Sequence, residues 1–274
     1  MNAIQTSQLS FIKNPALLQN QPHLRRLILF GTPLLTGILL LFHPLPDQTE
    51  MRPLDQLEGL ELYSLLAPIA DQFLIVHVFF ALALAILGLT VFLLLDGVRG
   101  LAATLSRIYA FVFAVSYIMY ETIIGTVTAL LIRGAAALSP DEQAAVGAAV
   151  YRNFVDPFLG DLPSVLAIIA WLSWLLTVTS AAFALRRSGK PLGPCILLGL
   201  SFVFISHASL LGPIGMLLFL LAVVGIERAG SDHISLALNK THAQQTSPAI
   251  LDIVEAVRTD EPLGFRPNLP LILG

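Results

Sequence analysis

The chain has 274 residues, 56% of them hydrophobic and only 12% charged, and a mean hydropathy of +0.80. That composition excludes an ordinary soluble domain and predicts an all-α polytopic transmembrane helix bundle, since long apolar runs in lipid must be helices and a barrel would show short alternating strands. The formal charge of −3 carries little information by itself; the single cysteine, Cys195, excludes an internal disulfide, and no phosphate loop, nucleic-acid motif or internal repeat is visible, so nucleic acid is not an expected partner.

Residues 1–23 read as a polar cytoplasmic tail, residues 24–227 as the bundle, and residues 228–274 as a second cytoplasmic tail. The first span covers residues 24–42, flanked by Arg25 and Arg26. It differs from a signal peptide in its long polar lead and in the His43-Pro44-Leu45-Pro46 that follows, which offers no small-residue cleavage site. Residues 43–72 are acidic, with Arg52 the only base, and residues 54–66 are expected to form a short helix lying on the membrane interface, a depth that suits Tyr63. The second span, residues 73–95, is uncharged and carries His77 near its start. Ala81, Ala85 and Gly88 follow at helical intervals, which predicts a close neighbour on the histidine's own side.

The third span, residues 108–132, contains Glu121, the one carboxyl side chain inside the strongly hydrophobic runs. Tyr117 and Gly125 stand four residues before and after it, so a phenol, a carboxyl and a bare backbone patch share one helical face. Ionised carboxylates at bilayer depth cost a few kcal/mol even on insertion-derived scales of about 2.5–3.5 kcal/mol, so this face must point into protein. Ser139, Pro140, Asp141 and Glu142 then make a helix start, with the helix reaching about residue 154.

A fourth span, residues 163–185, places Trp171 and Trp174 too deep for an interfacial belt, which predicts packing between helices; Arg186, Arg187 and Lys190 close it. The apolar stretch 191–227 is broken at His207 to Pro213. It is read as two short helices, residues 193–206 and 213–226, giving six spans; one kinked helix, giving five, is the alternative. An amphipathic stretch at 247–258 in the tail is expected either to dock, on a protein partner or the lipid surface, or to remain disordered. With six spans and a cytoplasmic amino terminus, twelve of the fifteen Lys and Arg fall inside and Arg52, Arg133 and Arg152 outside, which is the positive-inside pattern of a bacterial inner-membrane protein.

This topology gathers His43, His77 and His207 on the outer side, with Glu121 deeper and Asp71 at the mouth of the second span. Two imidazoles and a carboxylate, His77, His207 and Glu121, are ligands a divalent metal prefers, and paired histidines suit haem iron. The same residues can relay protons. Against these readings stand ordinary structural roles: capping by His43 and His207, packing by Tyr117, and a structural hydrogen bond by Glu121.

The span ending in His43-Pro44, the one opening with His77, Ser106-Arg107 leading to Tyr117, Glu121 and Gly125, and His207 before Gly212-Pro213-x-Gly215 together resemble a group of bacterial multi-pass membrane proteins of about six helices. The resemblance covers most of the spans and neither tail. It implies the six-helix layout and no activity, so whether any reaction is catalysed stays open. Three function classes follow: a metal, haem or proton site; an accessory or sensory subunit whose polar residues only fix packing; and a small proton-coupled transporter.

Overall fold

The computed structural model describes residues 21–43, 59–154, 165–205 and 209–245. These are helical, and among the described residues there is no strand. Among the described residues seven helices follow one another: α1 (Pro22–Leu41), α2 (Gly59–Leu94), α3 (Leu101–Gly134), α4 (Pro140–Phe154), α5 (Val165–Arg187), α6 (Leu192–Ile205) and α7 (Leu211–Gln245). Five of them (α1, α2, α3, α5 and α7) are long and apolar enough to cross a membrane; α6 is apolar but shorter. The chain divides into two compact units, Met1–Glu227 and Arg228–Gly274. The second contains the continuation of α7 to Gln245, well past the end expected near residue 226.

The outer surface of the first unit is apolar. Ile75, Leu82, Phe111, Leu172 and Leu217 are each more than half exposed, an arrangement that water would not tolerate over so many contiguous positions and that hydrocarbon accommodates without cost. Inside, Phe80, Phe113, Tyr117, Trp174, Phe204 and Phe219, contributed by five helices, form an aromatic layer. Phe113 lies 4.7 Å from Trp174, and Trp174 lies 5.6 Å from Phe204 and 5.7 Å from Phe219 between ring centroids. Trp174 is thus the packing residue expected from its depth, and its indole N–H donates to the Ser201 carbonyl at 3.4 Å, where α6 tightens into a 3-10 turn. Trp171 packs at the edge of the same core.

Polar contacts fix which helix ends meet. The Arg25 guanidinium binds the Glu227 carboxylate through both nitrogens, at 2.7 and 2.9 Å, so the start of α1 and this turn of α7 share one end of the bundle. At the other end Gln72 donates to the Phe42 carbonyl at 3.1 Å. Within the final pair, Pro194 lies against Gly225 and Phe204 against Gly215, equal steps in opposite directions, which is the register of antiparallel helices. The stretch 191–227 is therefore a hairpin rather than one kinked helix. At about 1.5 Å per residue its first arm is too short to cross a hydrocarbon core of about 30 Å unaided.

The expected interfacial helix over residues 54–66 is corrected in part. Residues 51–58 lie outside the described residues, and from Gly59 the chain is already the opening of α2, joined to the span through a 3-10 turn at Ala67–Ile69. Tyr63 is not at a surface: with Leu62, Leu66 and Ala70 it packs on Ile132, Ala135 and Val150 in a second, smaller core. Gly59 and Gly147 let the backbones of α2 and α4 touch, and a Cβ on either would overlap main-chain atoms of the other helix. Of the small residues expected below His77, Gly88 does meet Ala110 and Ala114 of α3, but Ala85 is exposed. The inward stripe is set instead by the large residues Phe80, Leu84, Leu87 and Val91.

The start of α4 follows the sequence. Glu142 accepts from the Ser139 hydroxyl at 2.7 Å and from the Ser139 backbone N–H at 2.9 Å. Those two bonds favour the ionised form and hold the carboxyl below its ordinary range. A carboxyl with a lowered folded pKa stabilises above its unfolded pKa and stops doing so as pH falls through the folded value. The hydrogen-exchange protection factor at the first turn of α4, the rate relative to the unstructured chain at the same pH, is therefore expected to fall on acidification below the usual carboxylate range. In Ser139→Ala protection should be lower at neutral pH and flatter with pH; an unchanged profile would show that the cap does not form in solution.

Candidate intramembrane histidine–glutamate site

Glu121 closes the regular part of α3: residues 101–121 are α-helical, and Thr122–Val127 widen into a π-helix before the α pattern resumes. Such wide turns are uncommon and concentrate at functional positions. The side chains of Tyr117 and Glu121 and the backbone at Gly125 are all buried, so the face read from the sequence does point inward.

His77 comes to this face from α2. Its Nδ1 lies 2.7 Å from the Phe73 carbonyl oxygen one turn earlier. A carbonyl only accepts, so Nδ1 carries the hydrogen and Nε2 is the nitrogen left to gain or lose a proton. Nε2 lies 3.5 Å from Oε2 of Glu121, with the two side chains 1% and 0% exposed. The separation is within ion-pair range and longer than a good hydrogen bond of about 2.7–3.2 Å, so direct proton transfer requires a small closure of α2 on α3 or a bridging water. One proton on this axis has two homes. On the carboxyl the pair is neutral; on Nε2 it is an imidazolium–carboxylate pair.

Gly125 makes the approach possible. A Cβ at this position would fall within contact distance of Cβ, Cγ and Cδ2 of His77, so the imidazole rests on bare backbone. Phe73 covers the ring at 4.0 Å between centroids, and His43, half-buried at the end of α1, meets it edge-on at 5.0 Å. Tyr117 stands one turn below Glu121 in the aromatic layer, stacked on Phe204 at 5.9 Å, and Tyr120 lies beside it at 6.0 Å.

The structure thus brings together His43, His77, Tyr117 and Glu121 from three helices. His207 lies outside the described residues. Asp71 is not part of the group: it is exposed and pairs with Arg133 at 3.0 Å, a surface contact between α2 and the last turn of α3. Among the described residues no group of three or more His, Cys, Asp or Glu is placed to hold a metal ion. His43 and His77 are in edge contact, which leaves no space for a porphyrin between them. The chain matches no protein-family model, no curated protein and no solved structure.

Three features of the site were not foreseen. The Phe73 carbonyl, which fixes the tautomer, is a backbone group whose availability depends on helix geometry, although an aromatic residue four positions before a histidine is visible in the sequence. The π turn has no compositional mark beyond β-branched residues around a glycine. Tyr120 joins the group through Tyr117, three positions earlier on the same helix, a local pair that the reading of the sequence passed over.

Proposed function

We propose that this chain is a multi-pass protein of the bacterial inner membrane, both termini cytoplasmic, whose His77–Glu121 pair takes up and releases a proton inside the bundle. The orientation is supported by charge: Arg25, Arg99, Arg107, Arg186, Arg187 and Lys190 belong to one end, against Arg133 and Arg152 at the other among the described residues. The single observation that carries the site is the buried Nε2–Oε2 approach of 3.5 Å with the opposite imidazole nitrogen tied to a carbonyl. The pair then has one variable proton, shared between Nε2 of His77 and the Glu121 carboxyl. His43, in contact with the His77 ring and close to the outer end, is the group through which that proton exchanges with the exterior.

Infrared spectra of the reconstituted protein test this. A carboxyl C=O band that changes with pH and disappears in Glu121→Gln is expected, with its midpoint displaced in His77→Gln. A spectrum without such a band at any pH, or a midpoint indifferent to His77, would end the proton reading.

A second reading has its own support. The aromatic layer directly below Glu121 and the interhelical bond from Ser106 to the Thr177 carbonyl, at 2.9 Å, hold the same helices together. On that reading the pair is packing alone, and the protein is an accessory or sensory subunit, with the segment after Arg228 meeting a protein partner. A proton-coupled transporter would require uptake into vesicles that is lost in Glu121→Gln.

A further inference from the structure

At the end of the bundle opposite His77, a cavity of about 870 Å³ lies between the α2–α3 connector, the first turn of α3 and the last turns of α5. Two arginines from separate segments line it: Arg99 in the connector and Arg187 at the end of α5. Neither has a carboxylate partner among the described residues, whereas the neighbouring Arg25 is held by Glu227. Arg187 is positioned over the Phe183 ring, 5.6 Å from its centroid.

The connector is built to keep this shape. Gly97 and Gly100 have φ of +73° and +110°, which side-chain-bearing residues rarely adopt, and the Arg107 guanidinium ties the Leu95 and Val98 carbonyls at 2.6 and 3.1 Å. The fixed turn presents Arg99 and the uncapped first-turn amides of α3 to the same space. The wall nearest the hydrocarbon is apolar, with Leu101 76% and Phe183 56% exposed.

We infer that this cavity binds a phosphate group, held between Arg99 and Arg187, and that the phosphate belongs to the headgroup of an anionic phospholipid whose acyl chain lies along Leu101 and Phe183. Guanidinium pairs match phosphate oxygens in geometry as well as charge, and basic pockets between helix ends at the membrane surface are where such headgroups are held. The apolar wall favours a lipid over free phosphate. The inference is independent of the His77–Glu121 reading.

Native mass spectrometry of the full chain in detergent, titrated with phosphatidylglycerol, phosphatidylcholine or inorganic phosphate, tests it. One phosphatidylglycerol is expected to be retained more tightly than phosphatidylcholine. The affinity should fall about fivefold in Arg99→Ala or Arg187→Ala and about thirtyfold in the double variant. The paired Arg99→Lys, Arg187→Lys variant should keep much of the binding, and Lys190→Ala all of it, which separates loss of charge from misfolding. Phosphatidylglycerol binding that is unchanged in the double alanine variant overturns the site. Inorganic phosphate that binds as tightly as the lipid overturns the assignment to a lipid.

Discussion

His77→Ala is expected to lower the stability of the protein in detergent by about 3–5 kcal/mol, the usual cost of removing one member of a buried pair that can carry charge. The loss has two sources. The Glu121 carboxyl, fully buried, loses the imidazole 3.5 Å away. The space between Phe73 and Gly125, which the ring fills, becomes a cavity. Chemical or thermal unfolding measures the total. The double variant His77→Leu, Glu121→Leu separates the sources, because an apolar pair of similar volume removes the polar conflict while keeping the space filled. Recovery of stability in the double variant, together with loss of the pH-dependent carboxyl band, is the expected pattern. A change of less than about half a kcal/mol in His77→Ala, the range of an ordinary surface substitution, would mean that α2 and α3 do not meet through these residues.

Gly125→Ala is expected to destabilise as well, by about 1–3 kcal/mol, and here the sign itself is informative. Helix propensity alone predicts the opposite, since alanine is better than glycine in a helix by about 1 kcal/mol. The atoms that a new methyl would meet decide between the two effects. They are Cβ, Cγ and Cδ2 of His77, the fixed base of the side chain rather than its mobile tip, and the ring is already held by the Phe73 carbonyl. The imidazole must move, and with it the distance to Glu121. The substitution should therefore also shift the midpoint of the Glu121 carboxyl band. In a His77→Ala background the penalty is expected to vanish or reverse, because the obstacle has gone; contacting residues are where additivity fails. A stabilising effect of Gly125→Ala in the wild-type background would place the His77 ring elsewhere.

The two substitutions probe one arrangement from opposite sides, and the contrast with Asp71 shows what makes it special. Asp71 and Arg133 are closer, at 3.0 Å, but their side chains are 78% and 50% exposed, so water screens both partners and their separation costs little. Exclusion of solvent, rather than distance, gives the His77–Glu121 pair its weight.

The helical bundle, the approximate position of each long span and the inward direction of Glu121 were determined by the sequence alone. Each follows from a strong, local quantity: lipid leaves no partner for a backbone outside a helix, and a lone carboxyl in a run from Ile108 to Ile132 cannot face hydrocarbon. The cap of α4 was equally legible, because Ser139 and Glu142 interact across three residues. Tertiary structure decided the rest. Tyr63 has the composition of an interfacial residue and is buried because Gly59 and Gly147 bring α4 against the start of α2. Asp71 has the composition of a site residue and is drawn away by Arg133, sixty-two positions later. Only the folded chain shows that His77 is the histidine that reaches Glu121, that its Nε2 is the free nitrogen, and that Gly125 is the floor beneath it. Those facts depend on the spacing of two helices to within an ångström, which packing of all their neighbours sets and no local pattern records.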